Sequence, residues 1–340
     1  MKKIIGFLLF ILGLTSVFMG CTFLESRNHN VINDGFLYIR TGADMDEVMD
    51  SLQGKLNHPD RFLHYAQTKG FADVIKPGKY KLKKEDTNKA LLNRLMSGAQ
   101  TDQSVMIGNY PTIFHLAGGV SIKLEVDSTQ IVNAIMAWAA QKDTTLDPET
   151  VKMYFVPNTY NFRWNATAEE FVGKMINEFE KVWTSERQQK AEAMNFTPLQ
   201  VFTLASIVQM EASKVDEQPK VAQVYLNRLK KGMKLEADPT SIYAYKLENG
   251  FNHRIQRVYM KHLATPSAYN TYKIKGLPPA PICLPNMSAV DAVLQPEPHE
   301  FIYFCADPDR PGYHSYTTNY AVHLQNAAKY RKWLQERGIK

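Results

Sequence analysis

The sequence predicts an α+β protein in three parts: an N-terminal apolar segment, a small β-α-α-β module and a larger mixed α+β domain. Three observations predict it. An uncharged, mostly apolar run extends from Ile4 to Leu24 behind Lys2 and Lys3. Two short strand-like runs, near Phe36 and near Tyr80, bracket two helical segments. From Thr167 onward, segments with apolar residues at steps of three and four follow one another, each opened by a capping residue. At 340 residues the chain has room for all three, and 44% hydrophobic against 22% charged residues is the composition of a globular protein. The expected divisions are 1–24, 35–100, 101–195 as the middle segment, and 196–340 as the functional core.

As a helix, the run from Ile4 to Leu24 extends about 31 Å, the hydrocarbon thickness of a bilayer. Two lysines before it and none just after it place the N-terminus in the cytoplasm and the rest outside, as a single-pass inner-membrane protein. A second reading makes Gly20-Cys21 a lipoprotein cleavage site, although Phe18 and Met19 fit that motif poorly. Both readings put the folded part outside the membrane. Cys283 and Cys305 can then form one disulfide or remain two buried thiols. No Cys/His cluster has zinc spacing and no Gly-rich phosphate loop occurs, so neither a metal nor a nucleotide cofactor is expected. The net charge of +6 is small and scattered. The lysines from Lys76 to Lys84 alternate with Tyr80 and Leu82 and run into Glu85 and Asp86, which reads as a solvated strand edge; no nucleic-acid partner is expected.

Behind a polar spacer (25–34), Phe36 to Arg40 reads as a strand, and Asp44 caps a helix carrying Met45, Val48, Met49 and Leu52 on one face. A second helix starts near Pro59, Lys76-Pro77-Gly78 turns into a strand from Lys79 to Leu82, and Thr87 caps a helix stopped by Gly98. Units of this shape resemble LysM modules, which grip glycan chains. In the middle segment, Tyr154 to Tyr160 is an aromatic run beside Asn158 and Thr159; it suits a core strand or a sugar-stacking surface. A helix beginning at Thr167 carries Phe171, Met175, Ile176 and Phe179.

Thr197-Pro198-Leu199-Gln200 combines a cap, a proline at the first helical position and a capping-box glutamine. The helix that follows places Val201, Leu204 and Val208 on one stripe, and Glu211 is the next position on it. A carboxyl at the inner end of an apolar face loses water, which raises its pKa toward the range a general acid needs. The alternative is a glutamate emerging at a frayed helix end. Pro219 starts a second helix that ends at Gly232 and contains Asn227, which can orient a sugar amide, and Arg228, which can pair with Glu211 or Glu217. Asp238-Pro239-Thr240 opens a third helix, with Tyr243 one turn in; Asp238 is a helix cap or a second carboxylate in the site. Strands are expected from Phe301 to Cys305 and from His314 to Thr317, and Asn319 should cap a last helix packed through Leu324, Ala327, Ala328 and Leu334.

Leu204 to Glu211, Val221-Ala222, Asn227-Arg228-Leu229, Gly232-Met233, Leu235, Asp238-Pro239-Thr240, Thr265 to Tyr272, Gly276 to Pro279, His314 and Asn319 together resemble the endolytic murein transglycosylase (MltG, or YceG-like) family. The resemblance spans nearly the whole chain. It implies a peptidoglycan lytic transglycosylase that cuts the β-1,4 bond between N-acetylmuramic acid and N-acetylglucosamine without water, with Glu211 as catalytic acid and base. It further implies peptidoglycan glycan strands as substrate, a membrane location, peptidoglycan synthases as partners, and a role in ending nascent strands. Asn227, Asp238, Thr240, Tyr243, Tyr269, Asn270, Tyr272 and His314 are the candidate substrate-binding residues; Asn270 and Thr271 also suit a turn. Members of the family often carry two glutamates, two residues apart, where this chain has Gln209 and Glu211. It also departs at Lys152-Met153 and Asn158, where Glu-Gly and Asp are usual. Two rival readings are a muramidase that uses Glu211 with Asp238, and a wall-binding protein without catalysis.

Overall fold

The computed structural model describes residues 29–255 and 257–338. The apolar run from Ile4 to Leu24 lies outside the described residues, and among the described ones no helix is long and apolar enough to cross a membrane. The chain divides into two compact units. The first holds the described residues up to Val105 together with Ser121–Val126 and Asn161–Thr167; the second holds Met106–Val120, Asp127–Tyr160 and Ala168 to the end of the described chain.

In the first unit β1 (Gly35–Ile39) pairs antiparallel with β2 (Gly78–Leu82), Leu37 opposite Tyr80. Between them lie α1 (Met45–Ser51) and α2 (Pro59–Thr68), and α3 (Asn88–Ser97) follows. The β-α-α-β order read from the sequence is therefore the order observed. Each boundary has a local cause. Asp44 and Glu47 close a reciprocal capping box on α1. The Thr87 hydroxyl caps α3, and Gly98 ends it at φ +71, a left-handed conformation that costs a residue with a Cβ. Leu37, Val48, Leu52, Phe62, Phe71, Tyr80, Leu91 and Leu95 are all fully buried between the sheet and the helices. The segment read as a polar spacer enters this core at its end. Val31 is buried, and the buried Asn30 amide donates to His58 O at 3.0 Å and Asn88 Oδ1 at 2.7 Å while its oxygen accepts from His58 N. Lys79 is likewise no solvated edge residue. Its ammonium sits 4.1 Å from the centre of the Phe36 ring and donates to Gln103.

β3 (Gln103–Ile107) and β4 (Asn158–Phe162) pair with each other. The second unit contains α4 (Ile113–Ser121) up to Val120, α5 (Ser128–Lys142), α6 (Ala168–Val182), α7 (Ser185–Ala193), α8 (Pro198–Glu211), α9 (Gln218–Lys230), α10 (Asp238–Asn249), α11 (Met260–Ala264), α12 (Met287–Leu294), the antiparallel hairpin β5 (Tyr303–Ala306) and β6 (His314–Thr317), and α13 (Tyr320–Glu336). Its axis is α8. The expected capping box between Thr197 and Gln200 forms. Burial, however, is not confined to one stripe: every residue from Val201 to Val208 is buried. A helix that is apolar all round belongs at the centre of a core, and α9, α10 and α12 surround it. Ser206, polar in that core, keeps its hydroxyl satisfied by donating to Thr203 O and accepting from Ile282 N at 3.0 Å. On the outside, Arg187 grips Asp291 with two hydrogen bonds of 2.8 and 2.9 Å, tying α7 to α12.

Asn319 caps α13 as expected, accepting from Ala321 N and Val322 N. The packed side is as expected at Ala327 and Leu334 but not at Leu324 and Ala328, which point outward, and no residue of α13 is fully buried. The inward face runs through His323, Ala327, Tyr330 and Leu334, so His323 and Tyr330 take the places read for Leu324 and Ala328. Tyr303 explains the shift. Its ring takes His323 against it at 5.3 Å and Tyr320 at 5.5 Å, so aromatic contact with the hairpin fixes the helix rotation.

Candidate active site

Glu211 is the last residue of α8, where the buried core helix runs out beside a cleft. The cleft, about 360 Å³, is lined by Glu211, Tyr225, Arg228, Asp238, Tyr272, His314 and neighbours from the β5–β6 hairpin and α13. Burial by surrounding protein pushes the Glu211 carboxyl up to about 7, and the negative charge of Asp238 adds to the rise. The C-terminal end of a helix dipole acts in the same direction. Two groups oppose it: the Tyr225 hydroxyl, which donates to Glu211 Oε1 at 3.0 Å, and the Arg228 guanidinium. Desolvation wins. Glu211 is thus a carboxyl that holds its proton near neutrality yet opens onto a cleft, and it can both give and take one proton there.

Arg228 pairs with neither Glu211 nor Glu217. Its side chain is nearly buried and is spent on structure, donating to the carbonyls of Ile302 at 2.7 Å, Lys234 at 3.1 Å and Leu235 at 2.8 Å, and to Glu236 at 3.2 Å. Of the groups that act on the Glu211 carboxyl, the guanidinium has the smallest effect. Asp238 does not cap α10. That position is Ala237, whose backbone N–H is taken by Thr271 Oγ1, and the Asp238 carboxylate turns into the cleft to accept from the Tyr272 hydroxyl at 2.7 Å. Gln209 has a different task from Glu211: its side-chain oxygen accepts from Asn286 N at the start of α12.

Of the residues read as candidates, Glu211, Asp238, Tyr272 and His314 come together on the cleft wall. The others lie off it with their polar groups committed to protein. Asn227 donates to His299 O and Phe301 O, positioning the segment that leads into the hairpin. Thr240 bonds Ala237 O and Thr271 Oγ1 in the core. Asn270 donates to Leu263 O and Thr265 O and forms the turn that the sequence also allowed. The Tyr243 and Tyr269 rings meet at a tilt, 5.0 Å apart, and Tyr243 Oη accepts at 2.7 Å from a buried ammonium, Lys152, which also donates to Glu149 at 2.9 Å. Burial lowers the Lys152 pKa while Glu149 opposes the fall, so the departure at Lys152 is an internal ion pair away from the cleft. Cys283 and Cys305 are free thiols. Burial pushes Cys283 up to about 12, and Cys305 lines the cleft.

Sequence reasoning missed Tyr225 and Glu217. Tyr225 reads as a packing position on the inner face of α9. Its signal is that a fully buried phenol needs a hydrogen-bond partner, and the glutamate at the end of the adjacent helix is within reach. Glu217 is buried in the 3₁₀ turn Val215–Glu217 and holds His314 through two contacts.

A carboxyl of raised proton affinity, seated at the end of a core helix and backed by a phenol, has the makings of an acid–base site. The sequence profile of the YceG-like family matches residues 37–329, and the chain belongs to that family. It is 28% identical over 309 residues to the endolytic murein transglycosylase of Bacillus subtilis, covering 83% of this chain and 81% of the relative. It is 26% identical over 323 residues to the endolytic murein transglycosylase of Streptococcus pneumoniae, covering 86% of this chain and 57% of that longer protein. Among solved structures, a yceG-like protein of Listeria monocytogenes superposes with a TM-score of 0.59 at 21% identity, over 86% of this chain and 98% of that one; that likeness concerns the fold.

Proposed function

We propose that this chain is a peptidoglycan lytic transglycosylase that cuts within glycan strands, with Glu211 as its acid and base. The observation that carries the proposal is the Glu211 carboxyl, raised to about 7 at the wall of a cleft. The names of the bacillary and streptococcal relatives support the substrate class. Protonated Glu211 gives its proton to the glycosidic oxygen between N-acetylmuramic acid and N-acetylglucosamine as that bond breaks and positive charge develops at the anomeric carbon. The Glu211 carboxylate then takes the proton of the muramic 6-hydroxyl, whose oxygen closes on the anomeric carbon to give a 1,6-anhydro end. One side chain serves both steps and is restored at the end of each cycle, and no water enters. Tyr225 steadies the carboxylate between the steps, since its hydrogen bond favours the charged form. With the anchor read from residues 1–24, the cleft would face newly made strands outside the membrane and would stop their elongation beside the synthases.

Digestion of sacculi followed by mass analysis tests the proposal. Anhydro-ended fragments are expected from the parent protein, and Glu211→Gln should lose roughly 10²–10⁴ of the rate, about 3–5 kcal/mol of barrier. Cleavage by Glu211→Gln near the parent rate would overturn the assignment. Asp238, a second carboxylate on the same wall, supports the muramidase as the competing reading; reducing ends in place of anhydro ends would assign it.

A further inference from the structure

The geometry points to a second functional group in this cleft: a Glu217–His314 pair in which Glu217 fixes the ring of His314 so that His314 Nε2 accepts a hydrogen bond from an N–H or O–H donor of the bound glycan. This inference rests on the glycan-cutting reading of the cleft.

His314 lines the cleft that holds Glu211. It is the first residue of β6, and everything behind it fixes it. Glu217 Oε1 accepts the His314 backbone N–H at 2.7 Å, and Glu217 Oε2 lies 3.0 Å from His314 Nδ1. The Glu217 side chain is only 4% exposed, so these bonds form away from competing water. Next to it, Asp216 accepts from the Tyr313 hydroxyl at 3.0 Å, so two consecutive acidic residues staple the 3₁₀ turn to two consecutive residues of the hairpin. The Phe304 ring meets the imidazole edge to face at 5.1 Å. Backbone, Nδ1 and ring face are all held. Such complete fixation exceeds what packing at a hairpin start requires, and it is the arrangement by which a carboxylate sets the tautomer of a working histidine.

The tautomer follows from the donor count. A carboxylate only accepts, so the proton shared with Glu217 sits on Nδ1, and in the neutral ring Nε2 is left as a lone pair. A glycan offers acetamido N–H and hydroxyl donors to such an atom. The turn Val215–Glu217 begins four residues after Glu211, so one short stretch of chain sets the place of the acid and the direction of the acceptor. Glu217 is a positioning residue in this scheme, and His314 is the group that meets substrate.

Glu217→Gln separates this role from a purely structural one. The amide oxygen can still accept the His314 backbone N–H, but the amide nitrogen then faces Nδ1 and donates to it. Nδ1 must accept, and the ring proton moves to Nε2, which now presents a donor to the cleft. Nitrogen-15 spectra of the imidazole should show the Nδ1–H tautomer in the parent protein and its exchange in Glu217→Gln. The kcat/KM for glycan cutting, counted as strands cut whichever ends form, should fall roughly 10- to 100-fold, because a ring donor then faces a glycan donor and leaves it unsatisfied. The pH limb set by Glu211 should stay in place. His314→Gln, which can bring an amide oxygen near the Nε2 position, should retain more activity than His314→Ala. An Nε2–H tautomer in the parent protein, or cutting at the parent rate by Glu217→Gln or His314→Ala, overturns the inference. If Glu217→Gln does not fold, the parent tautomer and the two His314 variants decide it. A parent protein that cuts but leaves reducing ends overturns the transglycosylase chemistry alone, because the pair is read from the rate of cutting.

Discussion

Glu211 is held at a cost to the fold that can be measured. In the unfolded chain its carboxyl titrates near 4.5; in the folded chain it titrates at about 7. A carboxyl whose folded pKa is raised contributes fully to stability below 4.5, and that contribution is lost as pH rises through 7, because ionising it is harder in the folded state. At about 1.4 kcal/mol per tenfold change in proton affinity, the loss amounts to about 3 kcal/mol by pH 8.5. Glu211→Gln removes the titration. The stability difference between the variant and the parent should therefore move in the variant's favour by about 3 kcal/mol between pH 4.5 and pH 8.5, whatever constant offset the exchange brings. Urea unfolding of both proteins at four pH values measures this. A Trp164→Phe background leaves Trp138, Trp183 and Trp333 reporting on the second unit alone. For a unit of this size, about 3 kcal/mol corresponds to roughly 6–12 °C in Tm. A difference that stays flat from pH 4.5 to pH 8.5 would refute the claim that the carboxyl is desolvated, and the mechanism would lose its acid.

Other consequences of the same geometry are open to test. Glycan cutting in the parent should fall about tenfold per pH unit above about 7, as Glu211 gives up the proton it must donate; a rate flat to pH 9 would count against it. Tyr225→Phe deletes the hydrogen bond that lowers the Glu211 carboxyl, so that limb should move to higher pH, read from kcat/KM profiles. Asp238→Asn removes a charge that raises it, so the limb should move the other way; under the transglycosylase reading the products keep their anhydro ends, whereas a muramidase would lose cutting altogether. Arg228→Met strands the carbonyls of Ile302, Lys234 and Leu235, and should cost roughly 3–5 kcal/mol in denaturant unfolding as the support for β5 is lost.

Much of the local structure was legible because it is written in short-range chemistry. Asp44, Thr87, Gly98, Thr197 with Pro198 and Gln200, and Asn319 all mark boundaries set within a single helical turn, and each is observed. What the chain did not disclose lies in long-range partnerships. Asn227 and Thr240 carry polar groups that suit a sugar, and they also suit partners that only the folded chain brings near: the carbonyls of His299 and Phe301 for Asn227, and the Thr271 hydroxyl for Thr240. Asp238 looked like a cap because Asp before Pro usually is one; the helix instead starts from Ala237, which has no side-chain cap and whose own backbone N–H is held by Thr271, more than thirty residues on. Glu217 carried no signal because its partner, His314, is 97 residues away.

The contrast between Gln209 and Glu211 shows how the end of α8 gives the cleft one carboxyl. Both leave the last turn of α8, two residues apart, so they diverge by about 200° around the helix and cannot share a cleft. Gln209 turns to the side of α12, where the backbone N–H of Asn286 needs an acceptor that an amide oxygen supplies without adding charge. Glu211 turns to the cleft, where the nearby negative charge comes from Asp238, and that charge raises the proton affinity of Glu211. A glutamate at 209 would place a second negative charge at the same helix C-terminus, where the dipole already opposes one. Because it would face α12, it would weaken that helix junction and would not serve as a second acid in the cleft. Gln209→Glu should therefore lower stability at neutral pH and recover it on acidification, while leaving the position of the Glu211 limb nearly unchanged. A shift of that limb as large as the one from Asp238→Asn would mean that the two side chains share one electrostatic environment, and the separation of their roles would fail.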